Sequence, residues 1–178
     1  GQGEEKHLVR SLPAILDAVG PGELVLADLG PGNGVKAGLI FAHGSARGRI
    51  RALAALDISG EILALVRKNS RKLFPGARAS FVRVDFETQS IRPILGDLKA
   101  RAGRRALILL LGSGNVTNKP AVLRHVRGAM SGSDFFLMSA ELRRAGEIGR
   151  ILGHYRTKES QNVVFFGLRC LGVRESDG

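Results

Sequence analysis

The residues best suited to chemistry lie in Leu24-Val-Leu-Ala-Asp28-Leu-Gly30-Pro-Gly32-Asn-Gly34. An apolar run closes on one acid and is followed by glycines at alternate positions. That describes a buried strand turning sharply into a helix, with bare backbone at the turn. Glycine has no Cβ, so it takes positive φ and lets a ligand come against the main chain. The helix beginning near Asn33 aims its unpaired N–H groups at the same spot. The spacing separates two ligand classes. A dinucleotide loop reads G-x-G-x-x-G after its strand, whereas this chain reads G-x-G-x-G, with Asp28 two residues ahead of the first glycine. A carboxylate there repels a pyrophosphate and attracts an ammonium or sulfonium. The pattern therefore favours S-adenosylmethionine over NAD. Taken alone, the motif also fits a glycine-rich strand-to-helix turn that holds no ligand.

Three further positions end strands of their own. Asp57 follows a second strand, Asp85 a third, and Gly112 with Ser113 a fourth. In a doubly wound sheet the ligand lies beyond the carboxyl ends of the strands, at the switch point beside strand one, so these independently located residues converge on one place. Asp57, 23 residues after Gly34, is placed to accept both ribose hydroxyls. Its alternative role is to cap the next helix, for which Ser59 is better placed. Asp85 is expected to accept the exocyclic amine of adenine while Phe86 stacks on the ring, or else to pair with Arg83 or Arg92.

The elements that must position these groups follow from periodicity. Glu4 to Val19 is an amphipathic helix with Pro13 as a kink or restart, and Gly20-Pro21-Gly22 stops it. It serves as a lid or a packing helix. Strands are expected at 24–29, 51–57, 80–84, 106–111 and 133–139. Helices are expected at 34–43, 59–73, 91–101 and 120–130. The apolar run from Ala106 to Leu111 suits the buried centre of a parallel sheet. Alternating strands and helices predict right-handed crossovers and an α/β, doubly wound, mostly parallel sheet of five strands. Residues 1–22 are expected to form an N-terminal helix packed on the core, and residues 23–178 the cofactor-binding domain. Asn162 to Leu171 is expected to be helical, from caps at Thr157 and Ser160 and one apolar face, although Val163-Val164-Phe165-Phe166 also suits a strand.

Composition bounds the setting. The chain has 178 residues and 44% hydrophobic content, enough for one domain with a real core. No apolar stretch spans a bilayer and no charged-then-apolar leader opens the sequence, so a cytoplasmic protein is expected. Cys170 stands alone, and His7, His43, His125 and His154 lack metal-ligand spacing, so no metal is expected. The net charge of +11, carried mostly by arginine, raises RNA as a partner. Yet the arginines are scattered and aromatics amount to 5%, which suits solvated helix faces as well.

Ala27-Asp28-Leu-Gly30-Pro-Gly32-Asn-Gly34-Val-Lys36, with Leu56-Asp57-Ile58-Ser59, Val84-Asp85-Phe86 and Ile108-Leu-Leu-Leu-Gly112-Ser113, resembles the class I S-adenosylmethionine-dependent methyltransferases. Within them it is most similar to the group containing the histidine Nα-methyltransferase of ergothioneine biosynthesis, in its cofactor half. The resemblance implies a Rossmann-like fold, whose usual sixth and seventh strands a helix over 162–171 leaves missing, or supplied in trans by a second copy or a partner domain. It also implies cofactor contacts from Lys36, Ile58 and Ser59, and a substrate-side asparagine at Asn118 or Asn115. The segment Gly153-His154-Tyr155-Arg156-Thr157 resembles the group's stretch around Ala-Tyr-Asn-Asp, but its Asn and Asp are absent. Tyr155 is therefore the one substrate-lining candidate there. The implied reaction is methyl transfer to a small molecule or amino acid. An RNA methyltransferase and a non-catalytic cofactor-binding remnant are the alternatives.

Overall fold

The computed structural model describes residues 2–103, 105–112 and 116–139. The chain divides into Gly1–Ala140 and Glu141–Gly178, and the account below concerns the first unit. Its elements run α1 (Gln2–Val19), β1 (Leu24–Leu29), α2 (Val35–Ser45), β2 (Ile50–Asp57), α3 (Gly60–Leu73), β3 (Arg78–Arg83), α4 (Arg92–Ala102), β4 (Arg105–Leu110), α5 (Lys119–Ala129) and β5 (Phe135–Met138).

The five strands are parallel in the order β3-β2-β1-β4-β5. Chain order runs outward in one direction from β1 and in the other from β4, so the switch point lies between them. Alternate side chains of each strand serve opposite faces. Leu24, Leu26, Leu53, Ala55, Leu107 and Leu109 pack with Leu12, Leu16, Ile40, Phe41 and Val66 from α1, α2 and α3. Val25, Ala27, Ala54, Leu56, Ile108 and Leu110 pack with Leu95, Val122 and Val126 from α4 and α5. The result is three layers with apolar residues on both faces of the sheet, which is why β1 and β4 are apolar at every position but Asp28 and Arg105.

Several boundaries differ from expectation. Helix α1 is continuous, with Pro13 inside it rather than at a break. β3 begins at Arg78, not Ser80. β4 begins at Arg105, and Leu111 falls outside it. β5 begins only at Phe135 because Asp134 folds back to accept the Ser131 amide and hydroxyl. The helix or strand expected over 162–171 lies outside the described residues.

Much of the arginine has a structural use. Arg49 donates to the carbonyls of Leu16, Gly20 and Gly22, and Arg105 to those of Val19, Pro21 and Ser133. Together they satisfy the orphan carbonyls where α1 ends and β1 begins. Arg83 donates to Ile58 O, Arg92 to Gly128 O and Arg78 to Arg101 O. Arg105 lies over the Phe135 ring at 5.0 Å and Arg67 over Phe81 at 5.1 Å. These guanidinium groups join loops and rings and do not form one exposed phosphate-binding track.

The return from α2 into β2 is tight enough to forbid a side chain. A Cβ on Gly44 would lie 2.2 Å from Ile50 Cδ1 and 2.6 Å from its Cγ1, and Ile50 is fully buried. Gly44→Ala is expected to destabilise the fold by about 2 kcal/mol through overpacking, despite the better helix propensity of alanine. Thermal unfolding followed by circular dichroism reads this as a fall of several degrees, and an unchanged midpoint would show that Ile50 can move aside.

Candidate functional site

Beyond the carboxyl ends of β1, β2, β3 and β4 lies a cleft of about 520 Å³. The sequence-predicted residues Gly30, Gly32, Asp57, Ile58, Asp85, Phe86 and Gly112 all line it. A larger cleft of about 750 Å³ opens at the opposite pole, around the amino ends of the strands, with Arg51, Arg78, Lys99 and Arg101 in its walls. Size does not choose between them. The residue chemistry does, because only the first gathers bare glycine backbone and carboxylates at a switch point.

The three glycines of the loop all take left-handed backbone, at φ 68°, 57° and 80° for Gly30, Gly32 and Gly34, but they do two jobs. Gly30 faces the Phe86 ring, whose edge would lie 3.9 Å from an added Cβ, and Gly32 meets open space. Both leave the main chain accessible from the cleft. Gly34 instead turns toward α3, where a Cβ would meet Leu73 Cδ1 at 3.0 Å and Val66 Cγ1 at 3.2 Å. Gly34 therefore sits in the packing between α2 and α3 and lines no part of the cleft.

Asp28 lies behind this loop, 3% exposed, in the middle of the sheet opposite Ala55 of β2 and Leu109 of β4. Burial pushes its carboxyl up to about 7. Lys36 pulls the other way, and Asp57 adds to the rise. No described residue donates a hydrogen bond to it. Lys36, from the first turn of α2, brings its Nζ to 3.2 Å from where a Gly112 Cβ would stand. It also lines a smaller cavity of about 190 Å³ with His7, Ser11 and Ser139. Lys36 thus stands at the wall between the main cleft and the space under α1.

The loop after β2 carries an Asx turn followed by a helix cap. Asp57 Oδ1 accepts the Ser59 amide at 2.8 Å, and Ser59 Oγ accepts the Ile62 amide at 3.2 Å. Ser59 is therefore the N-cap of α3. Asp57 only orients that turn, and no described residue engages its Oδ2. Ser59 itself is not part of the cleft lining.

The loop after β3 is organised by Asp85, which also lines the cleft. Its Oδ1 accepts the Glu87 amide at 3.0 Å and its Oδ2 the Thr88 hydroxyl at 2.8 Å, while Gln89 Oε1 accepts the Asp85 amide. Asp85 thus folds its own turn. It pairs with neither Arg83 nor Arg92, both of which donate to backbone carbonyls instead. Phe86 remains in the wall, and its carbonyl bonds His125 Nδ1 of α5 at 3.1 Å.

Asn118 is exposed and caps α5: its Oδ1 accepts the Ala121 amide at 3.1 Å. One of the two asparagines that the resemblance offers for the substrate side is thus held by a helix terminus, and it is not among the residues that line the cleft. Ser113, Asn115 and Tyr155 lie outside the described residues. Sequence reasoning missed Glu87, Val116 and Thr117, which also line the cleft. Glu87 was accessible as a second acid just beyond β3, next to Asp85-Phe86. Among the described residues the lining holds three carboxylates, Asp57, Asp85 and Glu87, and no basic side chain. The described residues contain no cluster with metal-ligand composition, and no described helix is long and apolar enough to cross a membrane.

A five-stranded parallel sheet in this order, with a glycine loop after β1 and acids after β2 and β3, defines a Rossmann-like fold of the class I S-adenosylmethionine-dependent methyltransferase type. The chain belongs to the family described as histidine-specific, S-adenosylmethionine-dependent methyltransferases, whose model matches residues 2–165. No curated protein sequence matches it.

Solved structures share the fold at low identity. A candidate methyltransferase from Bacillus halodurans is 14% identical with a TM-score of 0.57, over 85% of this chain and 61% of that one. A candidate S-adenosyl-L-methionine-dependent methyltransferase from Methanococcus maripaludis is 11% identical with a TM-score of 0.55, over 91% and 67%. An S-adenosylmethionine-dependent methyltransferase from Clostridium acetobutylicum is 13% identical with a TM-score of 0.52, over 75% and 49%. The chain thus spans between about half and two thirds of the length of these relatives.

Proposed function

We propose that this chain binds S-adenosylmethionine in the 520 Å³ cleft and presents its methyl group to a small molecule or amino acid. One observation carries the reading. The cleft combines left-handed glycines with three carboxylates that outnumber Lys36 at its wall, which suits a nucleoside bearing sulfonium and ammonium charge and opposes a phosphate. Asp57, with one oxygen holding the Ser59 amide, has a second oxygen for the ribose hydroxyls. Phe86 offers a face to adenine, and Gly30 and Gly32 leave room for the methionine portion, with Asp28 and Lys36 behind it.

The cofactor supplies a methyl group already activated on sulfur. The protein's contribution is then placement of the acceptor in line with the sulfur and exclusion of water, a matter of proximity and orientation. The family description names histidine, but Gly153 to Thr157 lacks the Asn and Asp of the resemblance, so the acceptor class is kept wider. The use of arginine as a carbonyl donor supports a small acceptor over RNA. A cytoplasmic setting and a partner segment extending the sheet beyond β5 belong to the same reading.

Calorimetry tests it directly. S-adenosylmethionine and S-adenosylhomocysteine are expected to bind, ATP and NAD are not, and Asp57→Ala is expected to weaken binding about 100-fold by removing a charge-assisted pair of hydrogen bonds. Absence of heat with either sulfur ligand, or an unchanged affinity in the variant, would sink the proposal.

A further inference from the structure

We propose that Glu87 is a cofactor-positioning residue which fixes the width of the adenine slot before the ligand arrives. The inference rests on the cofactor reading given above. Glu87 stands in the wall formed by Asp85, Phe86 and Thr88, yet among the described residues its carboxylate meets no basic side chain. Its Oε1 accepts the Thr117 amide at 2.9 Å and its Oε2 the Asn118 amide at 2.8 Å. Those donors belong to the segment leading into α5, which contributes Val116 and Thr117 to the other side of the same cleft. One carboxylate thus chelates two consecutive main-chain amides across the mouth.

Each of these bonds is charge-assisted and stronger than its neutral counterpart, and two from one planar group fix orientation as well as distance. The aim of Glu87 is itself set. Its own amide is held by Asp85 Oδ1 at 3.0 Å, and the Asp85 turn is closed by Thr88 and Gln89. The loop after β3 and α5 are joined again by His125 Nδ1 and the Phe86 carbonyl at 3.1 Å, and α4 is tied to α5 by Arg92 Nε donating to Gly128 O at 3.0 Å. The His125 contact holds α5 against the loop, whereas Glu87 acts at the rim of the cleft.

A flat ring bound between two loops gains affinity when the loops are already at the right separation, because ordering them on binding consumes interaction free energy. Glu87 touches no reacting atom in this arrangement, so its loss acts on affinity and not on turnover of the bound complex.

The test uses the full chain with Glu87→Gln and Glu87→Ala, S-adenosylhomocysteine calorimetry, and amide exchange over residues 116–118. Glutamine keeps the size but presents an N–H₂ to one of the two amide donors, so only one of the pair survives. In both variants the Kd is expected to rise about tenfold, and the Thr117 and Asn118 amides of the free protein to exchange at least about tenfold faster. With any acceptor that is turned over, KM for S-adenosylmethionine rises while kcat moves less than about twofold. A purely structural role would lower the melting temperature and leave the affinity of the folded protein unchanged; that result overturns the proposal. Should the wild-type chain bind no S-adenosylhomocysteine, the cofactor reading itself fails. The exchange of the two amides then decides the rim contact alone, and exchange unaltered by Glu87→Gln removes it. If Glu87→Ala does not fold, the isosteric glutamine variant carries the comparison.

Discussion

Asp134→Ala is expected to be the most destabilising single polar substitution in the described part of the molecule, lowering stability by about 3–5 kcal/mol. The Asp134 side chain is fully buried, and four donors converge on it. Oδ1 accepts the Ala106 amide at 2.8 Å. Oδ2 accepts the Ser131 amide at 2.7 Å, the Ser131 hydroxyl at 2.8 Å and Lys99 Nζ at 2.8 Å. Truncation would strand an ammonium that is itself only 18% exposed, together with one amide at the start of β4 and one in the turn between α5 and β5. Burial alone would raise the carboxyl, but hydrogen bonds from Lys99, from Ser131 and from the Ala106 amide outweigh it and hold the group below the ordinary range. The sign of the pH effect follows. A carboxyl depressed in the folded state binds fewer protons there than in the unfolded chain, so its contribution is present above the unfolded value of 3.8 and is lost as pH falls through the folded one. Urea unfolding of the wild type and of Asp134→Ala should therefore differ most at neutral pH and converge in acid. Because Asp134 lies at the amino ends of the strands, the folded variant should bind S-adenosylhomocysteine normally. Equal stability at neutral pH would mean that Lys99 and the two amides find other partners.

Asp134 also marks the boundary of what sequence could reveal. β1 and β4 are legible because a strand buried on both faces needs apolar residues at nearly every position, and α3 is legible because Ser59 sits just before an apolar stripe. By contrast, Asp134 looks like an ordinary turn residue. Its role depends on Lys99 and Ala106, which are 35 and 28 residues away. The same distance problem hides Glu87, whose partners are main-chain amides 30 and 31 residues along the chain and so leave no trace in side-chain spacing. The glycine motif identified the place of the cleft correctly, but alternate spacing cannot distinguish a glycine that bares backbone to a ligand from one that makes way for Leu73. Gly34 is of the second kind. Net charge misleads for a related reason. Arg49 and Arg105 count as surface cations in composition, although their guanidinium groups are used up on carbonyls at the end of α1.

Binding of S-adenosylmethionine is expected to strengthen about tenfold for each pH unit approaching 7 from below, and to level off above it. The reason lies in Asp28, whose carboxyl stands at about 7, chiefly through burial, with Lys36 lowering it and Asp57 raising it. Below that value the group is protonated and neutral. A ligand carrying sulfonium and ammonium charge into the adjacent cleft favours the carboxylate, so binding releases a proton and its free energy acquires this slope. The level part begins once the free protein is already ionised. Asp28→Asn should bind more weakly at pH 8 and show no slope between pH 5 and 7, which lies within the interval between the ordinary and shifted values of this one group. Stability should move the opposite way. Without ligand, the folded chain holds the Asp28 proton across the interval from 3.8 to about 7 while the unfolded chain does not, so wild-type stability falls with rising pH there, by up to ~4 kcal/mol. Asn has no proton to hold, and the variant should be the more stable protein at neutral pH even as it is the poorer binder. A buried carboxyl that weakens the empty fold and strengthens the liganded one is best accounted for by its ligand. Calorimetry across pH, paired with urea unfolding of both proteins, separates the two effects. A flat affinity profile in the wild type, or an asparagine variant with the same slope, would remove Asp28 from the cofactor site.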